Sequence, residues 1–188
     1  MNALIKLFDS ISSLSDAEQN LVEQNTAVEI IKKGEKYCEQ GKACKKMGFV
    51  IDGVFKVERT NSKGDDYILY FTNEGHFVID LDSFSNQTPA EENIEALTTC
   101  SVITMSKSSY LFLEKTIPSF SKIISQIKEK ALLAKYTFKS ELLVDDAITK
   151  YNKLVQRQPT VVQRVSQSQL ASFLGITQYT LSRIRAKK

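Results

Sequence analysis

Residues 166–188, SQSQLASFLGITQYTLSRIRAKK, hold the side chains of this sequence best suited to recognition chemistry. If Leu181 and Ile184 turn inward at helical spacing, Gln178, Tyr179, Ser182, Arg183 and Ala186 share the opposite face. A Gln amide matches the edge of adenine, and an Arg guanidinium matches O6 and N7 of guanine. A Tyr ring can meet a thymine methyl or a phosphate. Thr177, Thr180 and Ser182 offer hydroxyls at or near the start of the same helix, with Ser168, Lys187 and Lys188 flanking it. Hydroxyls, ammonium groups and helix-start amides suit phosphate oxygens. The chemistry on offer is therefore non-covalent reading of double-stranded DNA.

Charge agrees with that assignment. Residues 150–188 carry eight bases and no acid, whereas the rest of the chain holds 17 bases and 22 acids. A basic end on an acidic body points to a polyanionic partner for that end alone.

Covalent and metal chemistry find little support. His76 is the single histidine, so neither a Ser/His/Asp set nor a multi-histidine metal centre can be assembled. No Gly-rich phosphate loop is present. Cys38, Cys44 and Cys100 are odd in number and lack a CxxC pair, and read as core residues rather than as a disulfide framework or zinc site. No enzyme activity and no cofactor are expected. No apolar run approaches the ~18 residues of a membrane span. The first residues lack the pattern of a signal peptide, so a cytoplasmic protein without membrane contact is expected.

Several elements must position the reading face. Ser166 and Gln169 form an S-x-x-Q capping pattern that starts one helix near Gln167. Leu170, Ala171 and Leu174 face inward, Gly175 ends that helix, and Thr177 caps the next. A small residue at Ala171 permits the close crossing of a helix-turn-helix. Ahead of it, DDAITKYNKLVQRQP reads as a helix, with Asp145 and Asp146 at its start, Arg157 at its end and Pro159 beyond.

Residues 118–143 read as one long helix. Phe120, Ile124, Ile127, Ala131, Ala134 and Phe138 make a heptad stripe, expected as the interface of a parallel homodimer. Ile123, Leu132, Leu133 and Tyr136 give a second apolar face, and packing of the helix on its own domain is the competing role. Residues 1–117 differ in texture. Ser15 and Glu18 form a capping box for a helix ending near Gln24. From Ala27 come short β-rich runs separated by glycines, including a hairpin around TNSKGDD and two strands within NIEALTTCSVITMS. This is the pattern of an antiparallel, jelly-roll-like β-roll. A short helix, SKSSYLFLEKTI, closes the segment before Pro118. The expected fold is α+β: a sensor-like roll over 1–117, a dimerisation helix over 118–143 and a helix-turn-helix domain over 144–188.

Together IKKGEKYCEQGK, GFVIDGVFKVER, NEGHFV, IEALTTCSVITMS and the ending LASFLGITQYTLSRIR resemble the Crp/Fnr family of bacterial transcription regulators, in a form similar to Bacteroidetes members. The resemblance implies a cyclic nucleotide-binding-like roll, a homodimer, and DNA binding with Gln178, Tyr179 and Arg183 reading bases and Thr180 on the backbone. RNA polymerase becomes a candidate partner, and the small-molecule effector is unknown or absent. Two departures stand out. Cyclic-nucleotide binders of the family hold the ribose with a Gly-Glu pair and the phosphate with an Arg. Here Ile79 and Asp80 occupy the first place and Ala90 the second, among Asp82, Glu91, Glu92 and Glu95. A buried phosphate favours a bidentate cation, so cyclic AMP or GMP binding is not expected. The usual wing after the reading helix is also missing. The alternative function is a degenerate sensor acting through protein contacts, without sequence-specific DNA binding.

Overall fold

The computed structural model describes residues 2–186. Two helices lead the chain: α1 (Ala3–Ile11), capped by the Asn2 side-chain Oδ1, which accepts from the Ile5 amide at 2.9 Å, and α2 (Asp16–Gln24). In α2 the capping box closes both ways: Ser15 Oγ accepts from the Glu18 amide at 3.3 Å, and Glu18 Oε2 accepts from the Ser15 amide at 2.8 Å.

The roll follows as β1 (Ala27–Ile31), β2 (Lys36–Cys38), β3 (Lys46–Asp52), β4 (Phe55–Thr60), β5 (Asp66–Thr72), β6 (Phe77–Val78), α3 (Leu81–Asn86), β7 (Asn93–Ala96) and β8 (Cys100–Ser106). The strands form two antiparallel four-stranded sheets, ordered β1-β8-β3-β6 and β2-β7-β4-β5. Their inward residues, among them Phe49, Phe55, Val57, Ile94, Val102 and Met105, make the first core. Period-two alternation puts Phe55 and Val57 of β4 on one face, whereas β8 is buried on both faces, with Val102 and Met105 on opposite sides.

After α4 (Lys107–Thr116), the long helix α5 runs from Phe120 to Val144. It begins two residues after Pro118 rather than at it. The heptad stripe divides between two duties. Phe120 and Ile124 are buried, with Ile123, in the first core. Phe120 meets the Phe8 ring at 5.8 Å and the Tyr110 ring at 5.4 Å, both edge to face. Ile127 is half-buried on the same core. Phe138 packs on the Phe173 ring at 6.0 Å, with the Arg157 guanidinium 4.8 Å from its ring centre. Assigning Phe120 and Ile124 to a contact between chains is therefore corrected, because the chain's own first core already buries them, while Phe138 is half-buried against Phe173. Ala131 and Ala134 remain exposed, and Leu132, Leu133 and Tyr136 are 70%, 57% and 73% exposed.

The remaining helices are α6 (Ala147–Arg157), α7 (Pro159–Arg164), α8 (Gln167–Leu174) and α9 (Gln178–Ala186). Asp146 caps α6, its Oδ1 accepting from the Thr149 amide at 2.8 Å. Asp145 instead ends α5 and pairs with Lys153 at 2.8 Å. Pro159 opens α7 rather than only ending α6, because a proline at the first helical position forfeits no intrahelical bond. These helices share a second core with Val54, Phe71 and Leu97 of the roll. A polar seam joins the same parts. Gln158 Nε2 donates to the Phe71 carbonyl at 3.1 Å, and Asn73 Nδ2 donates to Thr160 Oγ1 at 2.9 Å. Arg164 Nη1 reaches Glu74 Oε1 at 2.5 Å and Asp52 Oδ1 at 3.2 Å.

Candidate nucleic-acid interface

The α8–α9 pair is built by local signals. Ser166 Oγ accepts from the Gln169 amide at 3.3 Å and donates to Gln169 Oε1 at 3.0 Å, which starts α8. Leu170, Ala171 and Leu174 are buried. Gly175 takes a left-handed φ of 65°, and the Ile176 amide donates back to the Ala171 carbonyl at 3.0 Å. A residue with a Cβ resists that conformation, so the turn favours glycine. Thr177 Oγ1 then accepts from the Thr180 amide at 3.1 Å, and the two threonine hydroxyls lie 2.9 Å apart. Leu181 and Ile184 anchor α9 in the second core.

With that face buried, Gln178, Tyr179, Ser182, Arg183, Arg185 and Ala186 are exposed together. Tyr179 is 71% exposed, and the Arg183 guanidinium lies 5.7 Å from its ring centre. Thr177 is exposed and Thr180 half-buried; Ser168 is exposed in the first turn of α8. Lys187 and Lys188 lie outside the described residues. The face carries guanidinium, amide, phenol and hydroxyl groups and no carboxylate. Such a set can donate to phosphates and base edges without repelling a polyanion.

The roll interior holds the residues at which cyclic AMP or GMP binding was not expected. Asp80 is buried and caps α3, accepting from the Ser83 amide at 3.0 Å. Ala90 is buried, its amide donating to the Lys42 carbonyl at 3.0 Å and its carbonyl accepting from the Gly41 amide at 2.9 Å. The nearby acids are engaged. Asp82 accepts from Asn86 Nδ2 at 2.8 Å, Glu95 pairs with Lys56 at 3.1 Å, and Glu91 and Glu92 meet Arg59 at 2.9 and 3.4 Å. Tyr70 donates to Glu92 Oε2 at 3.5 Å. Lys135 of α5 reaches into this group, its ammonium 3.6 Å from the Tyr70 ring centre.

The electrostatics follow from confinement. Burial and the neighbouring Asp80 push the Glu92 carboxyl up, against the pull of Arg59 and Lys135. Desolvation pulls Lys135 down, although most of its side chain lies along the surface; Glu92 opposes that shift. Desolvation and Glu92 push the Tyr70 phenol up. Arg59 and Lys135 were not among the expected functional residues. Their signals were faint: Arg59 is the last arginine before Arg157, and Lys135 sits at helical spacing from Ala131 and Phe138, beside the stripe.

Among the described residues, no group of His, Cys, Asp and Glu is arranged to hold a metal ion. No helix among them is long and apolar enough to cross a membrane.

Residues 28–115 match the family profile of the Cyclic nucleotide-binding domain. No curated protein matches the chain. Among solved structures, the c-di-GMP responsive global regulator CLP of Xanthomonas campestris is 19% identical with a TM-score of 0.69, over 92% of this chain and 91% of that one. FixK2 of Bradyrhizobium japonicum is 16% identical with a TM-score of 0.71, over 86% of this chain and 83% of that one. A protein of Eubacterium rectale, described as a transcriptional regulator of the Crp/Fnr family, is 14% identical with a TM-score of 0.71, over 97% and 87%. The chain thus has the fold of these regulators: an antiparallel cyclic nucleotide-binding-type roll followed by helices.

Proposed function

We propose that this chain is a DNA-binding transcription regulator of the Crp/Fnr type. In this reading residues 1–117 are the sensor-like domain, 118–143 the dimerisation helix and 144–188 the helix-turn-helix domain. Two chains pair along the exposed apolar side of α5, through Leu132, Leu133 and Tyr136 with Ala131 and Ala134. Each places α9 in the major groove, the two about 34 Å apart on a two-fold site. Gln178, Tyr179 and Arg183 read bases. Ser168, Thr177, Thr180 and Ser182, with Lys187 and Lys188, hold phosphates.

The observation that carries this reading is the exposed, carboxylate-free face of α9, held rigidly by Leu181 and Ile184 against α8. A helical hairpin used only for structure needs the buried residues but not the Arg-bearing outer face.

The roll is proposed not to take cyclic AMP or GMP. The place for a buried phosphate is Ala90, and the nearest guanidinium, Arg59, is already engaged by Glu91 and Glu92. Lys135 and Tyr70 fill part of the same region.

Selection of duplexes from a random pool, without added ligand and at two salt concentrations, tests the reading. A palindromic motif whose affinity falls as salt rises is expected. Absence of enrichment, both for the purified protein and after addition of cell extract, would overturn it.

A further inference from the structure

Arg164 is one of the eight bases in residues 150–188, and its charge is already answered inside the chain. It ends α7, two residues before the Ser166 cap of α8 and four before Ser168. Its Nη1 donates to Glu74 Oε1 at 2.5 Å and to Asp52 Oδ1 at 3.2 Å. Lys153 and Arg157 are paired as well, but with Glu141 and Asp145 at the neighbouring end of α5. Glu74 and Asp52 instead belong to the roll, 90 and 112 residues away in sequence. Glu74 is fixed without Arg164. The Gly53 amide donates to its Oε1 at 2.9 Å, and Asn73 Nδ2 and Thr160 Oγ1 each donate to its Oε2 at 3.3 Å. Asp52 ends β3, 63% exposed, and Arg164 is its one ion-pair partner among the described residues.

We infer that Glu74 and Asp52 form an autoinhibitory clamp that withholds Arg164 from DNA phosphates, and that its release adds one phosphate contact per chain at the entry of α8. The inference rests on the DNA reading proposed above. A carboxylate held by three other donors stays aimed at the guanidinium, and Asp52 adds a second negative charge beside it. A phosphate must displace both to reach the same N–H groups. Once free, the guanidinium is the side chain best matched to a phosphate. Its surroundings suit one: Arg164, Ser166 and Ser168 are all exposed, and the first turn of α8 carries no acid. Two carboxylates on the roll and one guanidinium on the helices make the clamp depend on how these parts sit against each other. A shift between them changes the charge offered to DNA without any change in α9.

The test measures binding of the full chain to a random-sequence duplex, which needs no base reading, over a series of salt concentrations. Asp52→Asn combined with Glu74→Gln should tighten binding and steepen the log–log salt slope by about 0.9 per chain, the value of one added phosphate contact. Arg164→Ala should leave the slope of the parent unchanged, and in the neutralised background should return the slope to the parent's. Asp52→Asn alone alters only an exposed carboxylate, so it keeps the fold and should steepen the slope in the same direction. The slope decides, because removing acids raises affinity for any polyanion whether or not Arg164 takes part. An unchanged slope in both Asp52→Asn and the double variant, a steepening that survives Arg164→Ala, or a parent slope that flattens with Arg164→Ala would each overturn the clamp. Motif selection by the parent would in those cases leave the DNA reading standing. Absence of duplex binding by the parent and by every variant would overturn both.

Discussion

The Lys135 ammonium lies 3.6 Å from the centre of the Tyr70 ring, joining the middle of α5 to β5 of the roll. Lys135→Met should remove this cation–π contact and lower stability by about 1 kcal/mol, measured by urea unfolding. It should also raise the Glu92 carboxyl further, since Lys135 is one of the two cations that hold it down. Carboxyl-carbon NMR titration reads that shift. Neither the parent chain nor this variant should give heat with cyclic AMP in a calorimetric titration.

Tyr136 and Phe120 lie on one helix and should respond in opposite ways. Tyr136 is 73% exposed and Phe120 fully buried. Tyr136→Glu should leave unfolding stability nearly unchanged and turn a dimer into a monomer by light scattering. Phe120→Ala should cost about 3–5 kcal/mol through lost burial and a cavity under Phe8 and Tyr110. Its association, measured where the variant is folded, should be unaffected. Equal effects on association would restore the heptad stripe as the interface.

These opposite expectations mark what the sequence could convey. The caps at Ser15, Ser166 and Thr177 and the turn at Gly175 were legible because their hydrogen bonds join residues within a few positions. The strands were legible as short β-rich runs separated by glycine turns. The inward side of α5 was not, since periodicity marks two apolar faces and only Phe8, Tyr110 and Phe173 decide which is covered where. Arg59 and Lys135 converge from positions far apart in the chain, and the six-residue helices α3 and α7 carry too few apolar positions to announce themselves. For α9, spacing alone marked Leu181 and Ile184 as buried, and they are.

Glu74 ties the seam between roll and C-terminal helices to pH. Burial alone would raise its carboxyl. The amides of Gly53 and Glu74 itself, Asn73 and the Arg164 guanidinium outweigh that and hold it at about 2, below its ordinary 4.5. A depressed folded value means the stabilisation is complete above pH 4.5 and is lost as pH falls from there toward 2. Solvent screening of this partly exposed pair leaves roughly 1 kcal/mol at neutral pH. Glu74→Gln should remove that amount and flatten the acid limb of stability between those values, read from urea midpoints across pH.

Arg183 should separate reading from holding. Its guanidinium stands free of any carboxylate on α9 and beside Tyr179. Arg183→Ala should relax the selected motif at one position per half-site, a loss of about 1–3 kcal/mol of discrimination. Ser168→Ala should weaken all duplexes alike and leave the motif intact, because a phosphate contact carries no base identity. Leu181→Ala should act by a third route, lowering stability by about 2–5 kcal/mol and abolishing both properties as α9 detaches from the second core. Binding curves for matched and mismatched duplexes, each at two salt concentrations, distinguish the three. An Arg183→Ala protein with unchanged preference would move base reading away from α9.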